Sequence, residues 1–433
     1  MKLKKLTLLA SLALFSTQTY AANWLALQGT EASGSAPRAK LWGFIQPEYQ
    51  STDGGVLKAG PFKGQIMSPN VIRPDNTSNE SFNIRRARIG VRGTGFPLDD
   101  KVNYFILAEF GHNGITKLGK TGVALTDASI TLNHIPGARI RVGQFKTPGS
   151  EEGLAAIHVF NYANFTTATD QLLLERYFDG DGTTAGSVNA PNGSVGAFRD
   201  QGIQVFNTFK INDWEHSYAV MYGNGNGINR TDNDDNKDIY LYWSSERVYG
   251  GKGGRRQGLK MFAWNQSGTR TLTEGGAGEH KRDRTGLGAT FLKGKYRAAF
   301  EYMTADGMIF NGSDGGAVPG TVNGGGAVAS LNILTDNEAD GYYVDFGYKV
   351  MPDLELDIRY DILNRATEGA AGLERTFETV TLGAQYFFNK KTRVTINYEL
   401  RDLEAPGFAS THPANLIGDA IDDRLSLQLL AIF

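Results

Sequence analysis

Long stretches of this chain alternate apolar and polar residues with a period of two, and none approaches the ~20 consecutive apolar residues of a spanning helix. Across 353–364 the even positions Leu354, Leu356, Ile358, Tyr360 and Ile362 are apolar, while the odd positions Glu355, Asp357, Arg359 and Asp361 are charged. Val394, Ile396, Tyr398 and Leu400 stand in the same way against Arg393, Thr395, Asn397, Glu399 and Arg401, and Tyr342, Val344, Phe346 and Tyr348 against Asp345 and Lys349. Successive side chains of a strand point to opposite faces, so each stretch predicts a strand with one greasy and one charged face.

A soluble sandwich alternates as well, so the connections must choose between core and lipid. They run short, long, short, long. Ile211-Asn212-Asp213, Lys293-Gly294, Met351-Pro352 and Asn389-Lys390-Lys391 are tight, whereas Ser51 to Ser81, Thr147 to Phe198 and Gly307 to Asn337 are long and rich in Gly, Asn and Asp. Short turns on one rim and long loops on the other are the pattern of a transmembrane β-barrel. Sixteen strands are expected, beginning near residues 40, 82, 101, 123, 138, 199, 214, 237, 257, 282, 295, 338, 353, 376, 393 and 422. An even count puts both chain ends on the short-turn side. Leu425, Leu427, Leu429, Ala431 and Phe433 share one face of a final strand that ends on an aromatic. Closure is required because an open sheet edge in lipid leaves backbone polar groups unpaired at several kcal/mol each.

The first residues read as an address. Lys2, Lys4 and Lys5 precede the apolar run Leu6 to Phe15, and Thr19-Tyr20-Ala21 offers small residues at a cleavage site. The expected division is a signal peptide over 1–21, a periplasmic segment over 22–38 and the barrel over 39–433, with 148–198 as an inward loop. The location implied is the bacterial outer membrane, among lipids and lipopolysaccharide.

Composition removes other classes. The absence of Cys excludes a disulfide framework, a zinc ribbon, a thiol nucleophile and covalently attached haem. A balance of 44 Lys plus Arg against 46 Asp plus Glu lacks the basic surplus of a nucleic-acid binder.

Once the greasy face is given to lipid, the other face lines a lumen, where basic residues gather. Arg86, Arg88 and Arg92 share a face opposite Ala87, Ile89 and Val91; Arg139 and Arg141 oppose Ile140 and Val142; Arg282 and Arg284 begin another strand. Rows of cations along a water-filled pore offer anions successive weak sites. Glu109, Asp127, Glu301, Asp345, Glu355 and Asp357 also project inward, either as an acidic strip facing a basic one or as partners that stiffen the wall. The loop from Thr147 carries Glu151, Glu152 and Asp170 with its own apolar residues Phe160, Phe165 and Leu172 to Leu174, which predicts that it folds inward and narrows the channel.

Phe82-Asn83-Ile84-Arg85-Arg86-Ala87-Arg88-Ile89-Gly90-Val91-Arg92-Gly93 resembles the early strand of the phosphate-selective porin O and P family. Arg139-Ile140-Arg141-Val142-Gly143-Gln144-Phe145-Lys146-Thr147-Pro148 resembles that family's strand leading into its constriction loop. The resemblance implies a sixteen-stranded trimeric outer-membrane porin with an inward third loop and an arginine ladder. Arg86, Arg88, Arg92, Arg139 and Arg141 are the ladder positions here. Phosphate-selective members place lysines at the constriction, whereas Thr147 to Glu175 holds no Lys or Arg. The later loop taken from Gln266 to Lys281 offers only Arg270 and Lys281. General passage of small solutes with a tilt toward anions is therefore expected, phosphate among them. A specific channel for organic acids or other nutrients, and a non-conducting scaffold, stay open as alternatives.

Three motifs point elsewhere and fail on context. Gly114 to Thr121 matches the P-loop letters, but the residues after Thr121 alternate as a strand instead of opening a helix. Asp232 to Asp238 starts like a calcium loop, with Lys237 where the glycine belongs. The six histidines show no metal-ligand spacing, and no nucleophile elbow stands on a strand-to-helix turn. No enzyme activity, metal or cofactor is expected. A Ser and His meeting on the outer wall would argue for an outer-membrane lipase instead.

Overall fold

Strands form where the alternation places them. The computed structural model describes residues 23–27, 38–60, 62–67, 79–95, 99–113, 115–116, 122–174, 197–228, 232, 234–251, 254–272, 278–311, 332–369 and 372–433. The expected signal peptide lies outside the described residues. The strands are β1 (Lys40–Thr52), β2 (Glu80–Thr94), β3 (Val102–Glu109), β4 (Ala124–Ile135), β5 (Ala138–Lys146), β6 (Arg199–Ile211), β7 (Trp214–Gly223), β8 (Asp238–Gly250) and β9 (Gln257–Leu272). They continue as β10 (Gly278–Lys293), β11 (Tyr296–Asp306), β12 (Ile309–Asn311), β13 (Asn332–Leu334), β14 (Glu338–Met351), β15 (Leu354–Arg365), β16 (Arg375–Asn389), β17 (Thr392–Glu404) and β18 (Arg424–Ile432). Sixteen of them, all but β12 and β13, close into one antiparallel barrel in sequence order. The pair β12–β13 is a separate hairpin inside the connection 307–337.

The side-chain period does the sorting. On β15, Leu356 and Ile358 are 47% and 46% exposed on the outer wall, whereas Asp357 and Arg359 are 5% and 1% exposed inside. A greasy surface left bare around the whole circumference is a lipid-facing belt. No described helix is long and apolar enough to cross a membrane; the crossing elements are strands.

The seam joins β1 to β18. Phe433 donates its backbone N–H to Gly43 O at 3.0 Å, and Gly43 N–H returns the bond to Phe433 O at 3.2 Å. Gly43 is required here, because a Cβ on it would lie 2.4 Å from the Phe433 ring. Both the first and the last strand therefore meet at the short-turn rim. One expected loop is mostly strand: β9 runs to Leu272 and β10 begins at Gly278, so the described residues of Gln266–Lys281 belong to paired strands. These strands have 16 residues each, more than the ~9–11 that span a bilayer. Polar residues near their ends read as loop only because they rise past the apolar belt.

Candidate functional site

The candidate site is the lumen together with the described part of the connection from β5 to β6. That connection opens at Lys146, where Thr147 N–H bonds Phe198 O at 2.9 Å and clamps the loop's neck. Ser150 caps a short helical turn, α2 (Glu151–Leu154), its Oγ accepting from Gly153 N–H at 3.2 Å. A second turn follows at Thr169–Leu173.

Between these turns the chain bonds inward side chains of many strands. Glu151 N–H donates to Glu301 of β11 at 3.1 Å, and Tyr162 Oη to Asp345 of β14 at 2.5 Å. Asn397 of β17 accepts from Ala163 N–H at 2.8 Å, and Asp361 of β15 from Thr167 N–H at 2.9 Å. Asn164 accepts from Gln50 of β1 at 3.0 Å and donates to Ser426 of β18 at 3.2 Å. On the other side, Arg284 of β10 donates to Leu172 O at 2.8 Å. The described loop residues thus lie among the inward side chains of nearly opposite walls.

The loop's acidic residues meet wall cations. Glu151 accepts from Lys260 of β9 and from Trp24 Nε1 at 2.9 Å. Glu152 accepts from Arg359 at 3.3 Å and from Thr166 Oγ1 at 2.6 Å. Asp170 is half-buried in the second turn, its N–H bonded to Thr166 O at 3.0 Å. Burial and the neighbouring Asp345 push the Tyr162 hydroxyl well above its ordinary pKa, so it stays a proton donor. His158 sits between the Trp42 and Phe44 rings, at 5.7 and 5.2 Å. Burial first, and then Lys146, Arg393, Arg88 and Arg92, lower its pKa to about 3; the ring is neutral at physiological pH.

The predicted ladder is split into two groups. Arg86 donates to Gln46 at 3.2 Å, Arg88 pairs with Glu109 at 2.7 Å, and Arg92 stands 5.6 Å over the Trp42 ring. Arg141 is fully buried over Phe206 at 4.5 Å, and Arg139 is half-buried one step along the same inward face. Arg282 and Arg284 lie far around the barrel on β10, where both hold Leu172 O and Arg284 also binds Gly307 O at 2.9 Å. They tie down loops there.

The expected inward carboxylates are all buried, and the strips do not segregate: cations and acids interleave. Arg199 pairs with Asp127 at 2.9 Å; Arg297 binds Asp345, Asp357 and, at 3.0 Å, Glu355; Arg270 binds Asp238 at 2.7 Å. The partner reading, in which pairs stiffen the wall, describes these contacts.

Several lumen cations escaped the sequence reading. Lys146 donates to three loop carbonyls, Gly153 O at 2.8 Å, Leu154 O at 3.4 Å and Ala155 O at 2.5 Å. Arg393 donates to Gln385 at 2.8 Å and Phe160 O at 2.6 Å, and Arg401 to Asp422 O at 2.7 Å. These carbonyls accept N–H groups without bringing a counter-charge, while Arg393 Nε and Arg401 Nη1 have no hydrogen-bond partner among the described residues.

Part of the N-terminal segment is described. Where it is described beside the barrel, α1 (Trp24–Leu27) packs inside: Leu25 is 1% exposed, and Arg141 donates to its carbonyl at 3.4 Å.

The described residues around the weighed motifs have ordinary protein partners. Asn113 Oδ1 accepts from the backbone N–H groups of Ile115 and Thr116 at 2.8 and 2.7 Å, and most of the P-loop-like stretch lies outside the described residues. Lys237 Nζ binds Asp232 at 2.7 Å, and no described group of three acids or histidines is placed to hold a metal. His216 and Ser245 do meet on the outer wall at 2.9 Å. Ser245 also accepts from Trp243 Nε1 at 3.1 Å, and Phe209 stacks on the imidazole. With no described carboxylate orienting the ring, the cluster is an aromatic girdle contact and not a catalytic pair.

The sequence profile of phosphate-selective porin O and P matches residues 70–406. Among solved structures, the outer membrane channel DcaP of Acinetobacter baumannii aligns over 94% of this chain and 100% of its own, with a TM-score of 0.53 at 14% identity. An anion-selective porin from Comamonas acidovorans aligns over 91% and 99%, with a TM-score of 0.53 at 13% identity. OmpF of Salmonella typhi, in complex with daunomycin, aligns over 91% and 97%, with a TM-score of 0.52 at 13% identity. At these identities the likeness is one of fold. No curated protein matches the sequence.

Proposed function

The chain belongs to the phosphate-selective porin O and P family, and from that premise we propose that this outer-membrane channel passes small hydrophilic solutes by diffusion and favours anions. It is a channel, not an enzyme. One observation carries the preference for anions. Among the described residues 17 Lys and Arg against 14 Asp and Glu are buried, although the chain as a whole has a net charge of −2. Among the described residues the buried side chains therefore carry a surplus of positive charge. Arg393 and Arg401, held by carbonyls, contribute to that surplus. A low-dielectric wall focuses such a field along the water-filled path.

The loop 148–198 sets the size limit in this reading, supported by its bonds to nearly opposite walls. It brings no Lys or Arg of its own between Thr147 and Leu174, which favours general anion passage, inorganic phosphate included, over a site dedicated to phosphate. The assembly is a homotrimer set in lipid and lipopolysaccharide, the arrangement general among porins.

The test is the reversal potential of single channels in a planar bilayer under a tenfold KCl gradient, followed by phosphate titration. An anion-side potential is expected, and a cation-side potential overturns the reading. Block by phosphate would restore a dedicated phosphate site. A barrel that never conducts would be a scaffold.

A further inference from the structure

Resting on the diffusion-channel reading, we propose that the N-terminal turn Asn23–Leu27 is a specificity-determining part of the channel, with the Trp24 indole as a partition across the lumen. Two cavities flank the loop. One, of about 140 Å³, is lined by Glu151, Phe160, Tyr162, Arg255 and Arg297 among others. The second, of about 80 Å³, is lined by Trp42, Arg88, Lys146 and His158 among others. Trp24 is the one lining residue that the two have in common. Its ring is therefore the wall between a mixed-charge chamber and a basic aromatic one.

The turn is held from four sides. Ala26 N–H bonds Asn23 O at 2.9 Å, which closes the turn itself. The Asn23 side chain donates to Ser217 Oγ on β7, and Arg141 on β5 donates to Leu25 O at 3.4 Å. Leu25 packs in the same apolar cluster as Leu154 of the loop and Phe206 and Tyr242 of the wall. Trp24 Nε1 donates to Glu151 at 2.9 Å, and the other oxygen of that carboxylate is held by Lys260. Gly254 makes room on the far side: a Cβ there would lie 3.0 Å from the indole Cη2 and 2.4 Å from Val159. An aromatic ring with its one polar atom engaged presents a dry face to a hydrated solute, so the chambers communicate around it only by a narrower route.

The experiment compares secreted, processed protein with Trp24→Ala and Trp24→Phe in planar bilayers, measuring single-channel conductance and the polymer size that still enters the pore. Trp24→Ala joins the chambers and is expected to raise conductance about twofold and to admit larger polymers. Trp24→Phe keeps most of the partition and stays near the parent. A Trp24→Ala channel with the parent's conductance and size limit overturns the proposal. Ser217→Ala removes the Asn23 anchor while leaving the ring, and brief openings to the higher level are expected; a steady parent-level trace counts against the partition even if Trp24→Ala does not assemble. A parent protein with no current at all instead refutes the diffusion-channel reading.

Discussion

Arg88 and Glu109 allow the electrostatic argument to be tested with opposite signs at one place. The pair is 2.7 Å apart, with side chains 6% and 0% exposed. Glu109 does not depend on Arg88 alone. It also accepts from Ala87 N–H at 2.9 Å, Gly111 N–H at 2.8 Å and Asn113 Nδ2 at 3.2 Å. Arg88→Gln therefore leaves an ionised carboxylate with three donors, and the local charge falls from zero to minus one. Breaking a buried pair costs about 3–5 kcal/mol; the remaining donors put this case at the lower end, and a barrel with fifteen other strands' worth of ladder intact still assembles. For a monovalent ion passing at about 8 Å, one unit charge is worth about 0.5 kcal/mol in water and about 2 kcal/mol at an effective dielectric constant near 20. Salt at about 0.1 M roughly halves both figures. Because the same charge acts with opposite sign on anion and cation, the anion-to-cation permeability ratio should fall by a factor of roughly 2 to 30 in Arg88→Gln and rise by a similar factor in Glu109→Gln. Reversal potentials in a KCl gradient read both. Shifts of the same sign would mean that the mutations merely loosen the wall, and no shift in either would mean that permeant ions do not sense β2.

Three further outcomes follow from the same contacts. The His158 pKa near 3 lies below the ordinary value of 6.5, so the released loop binds the proton that the docked loop excludes. Docking is fully stable above about pH 6.5 and weakens as pH falls toward 3; protection of 156–162 against hydrogen exchange, corrected for the intrinsic rate, should fall over that window in the parent and not in His158→Phe. Lys146→Met leaves three carbonyls without their charged donor, and hydrogen bonds to charged groups are worth about 1.5–3 kcal/mol each. It should raise current noise, and a quiet trace would contradict the role given to Lys146. Gly43→Val drives a side chain into the Phe433 ring, so assembled barrel in outer-membrane fractions should drop severalfold against the parent; equal yields would refute the seam argument.

Alternation made the barrel legible because lipid and lumen impose opposite demands on adjacent residues. The expected strand starts lie within two residues of those observed for all but one strand. The exception is β10, expected at 282 and found at Gly278, because its first turn rises above the apolar belt, where lipid no longer enforces the pattern. The same reasoning explains why the cations at the loop's neck were missed. Arg139, Arg141 and Phe145 share one parity and face inward, which assigns Lys146 to lipid. At Lys146 and its register partner Arg199 the chain leaves the sheet, parity stops applying, and both side chains turn in toward the loop.

The pairing of lumen charges was hidden for a different reason. Arg359 finds Glu152 and Lys260 finds Glu151 only after a loop from β5 has reached walls far from it in sequence, and no local spacing encodes such a meeting. This also resolves the conflict between an acidic loop and a basic ladder. Glu151 and Glu152 are spent on wall cations, so the loop adds little net negative charge to the path. Arg393 and Arg401 meet carbonyls instead. What a permeating anion meets at the loop is consequently set less by the loop's own composition than by which wall residues that composition has already neutralised.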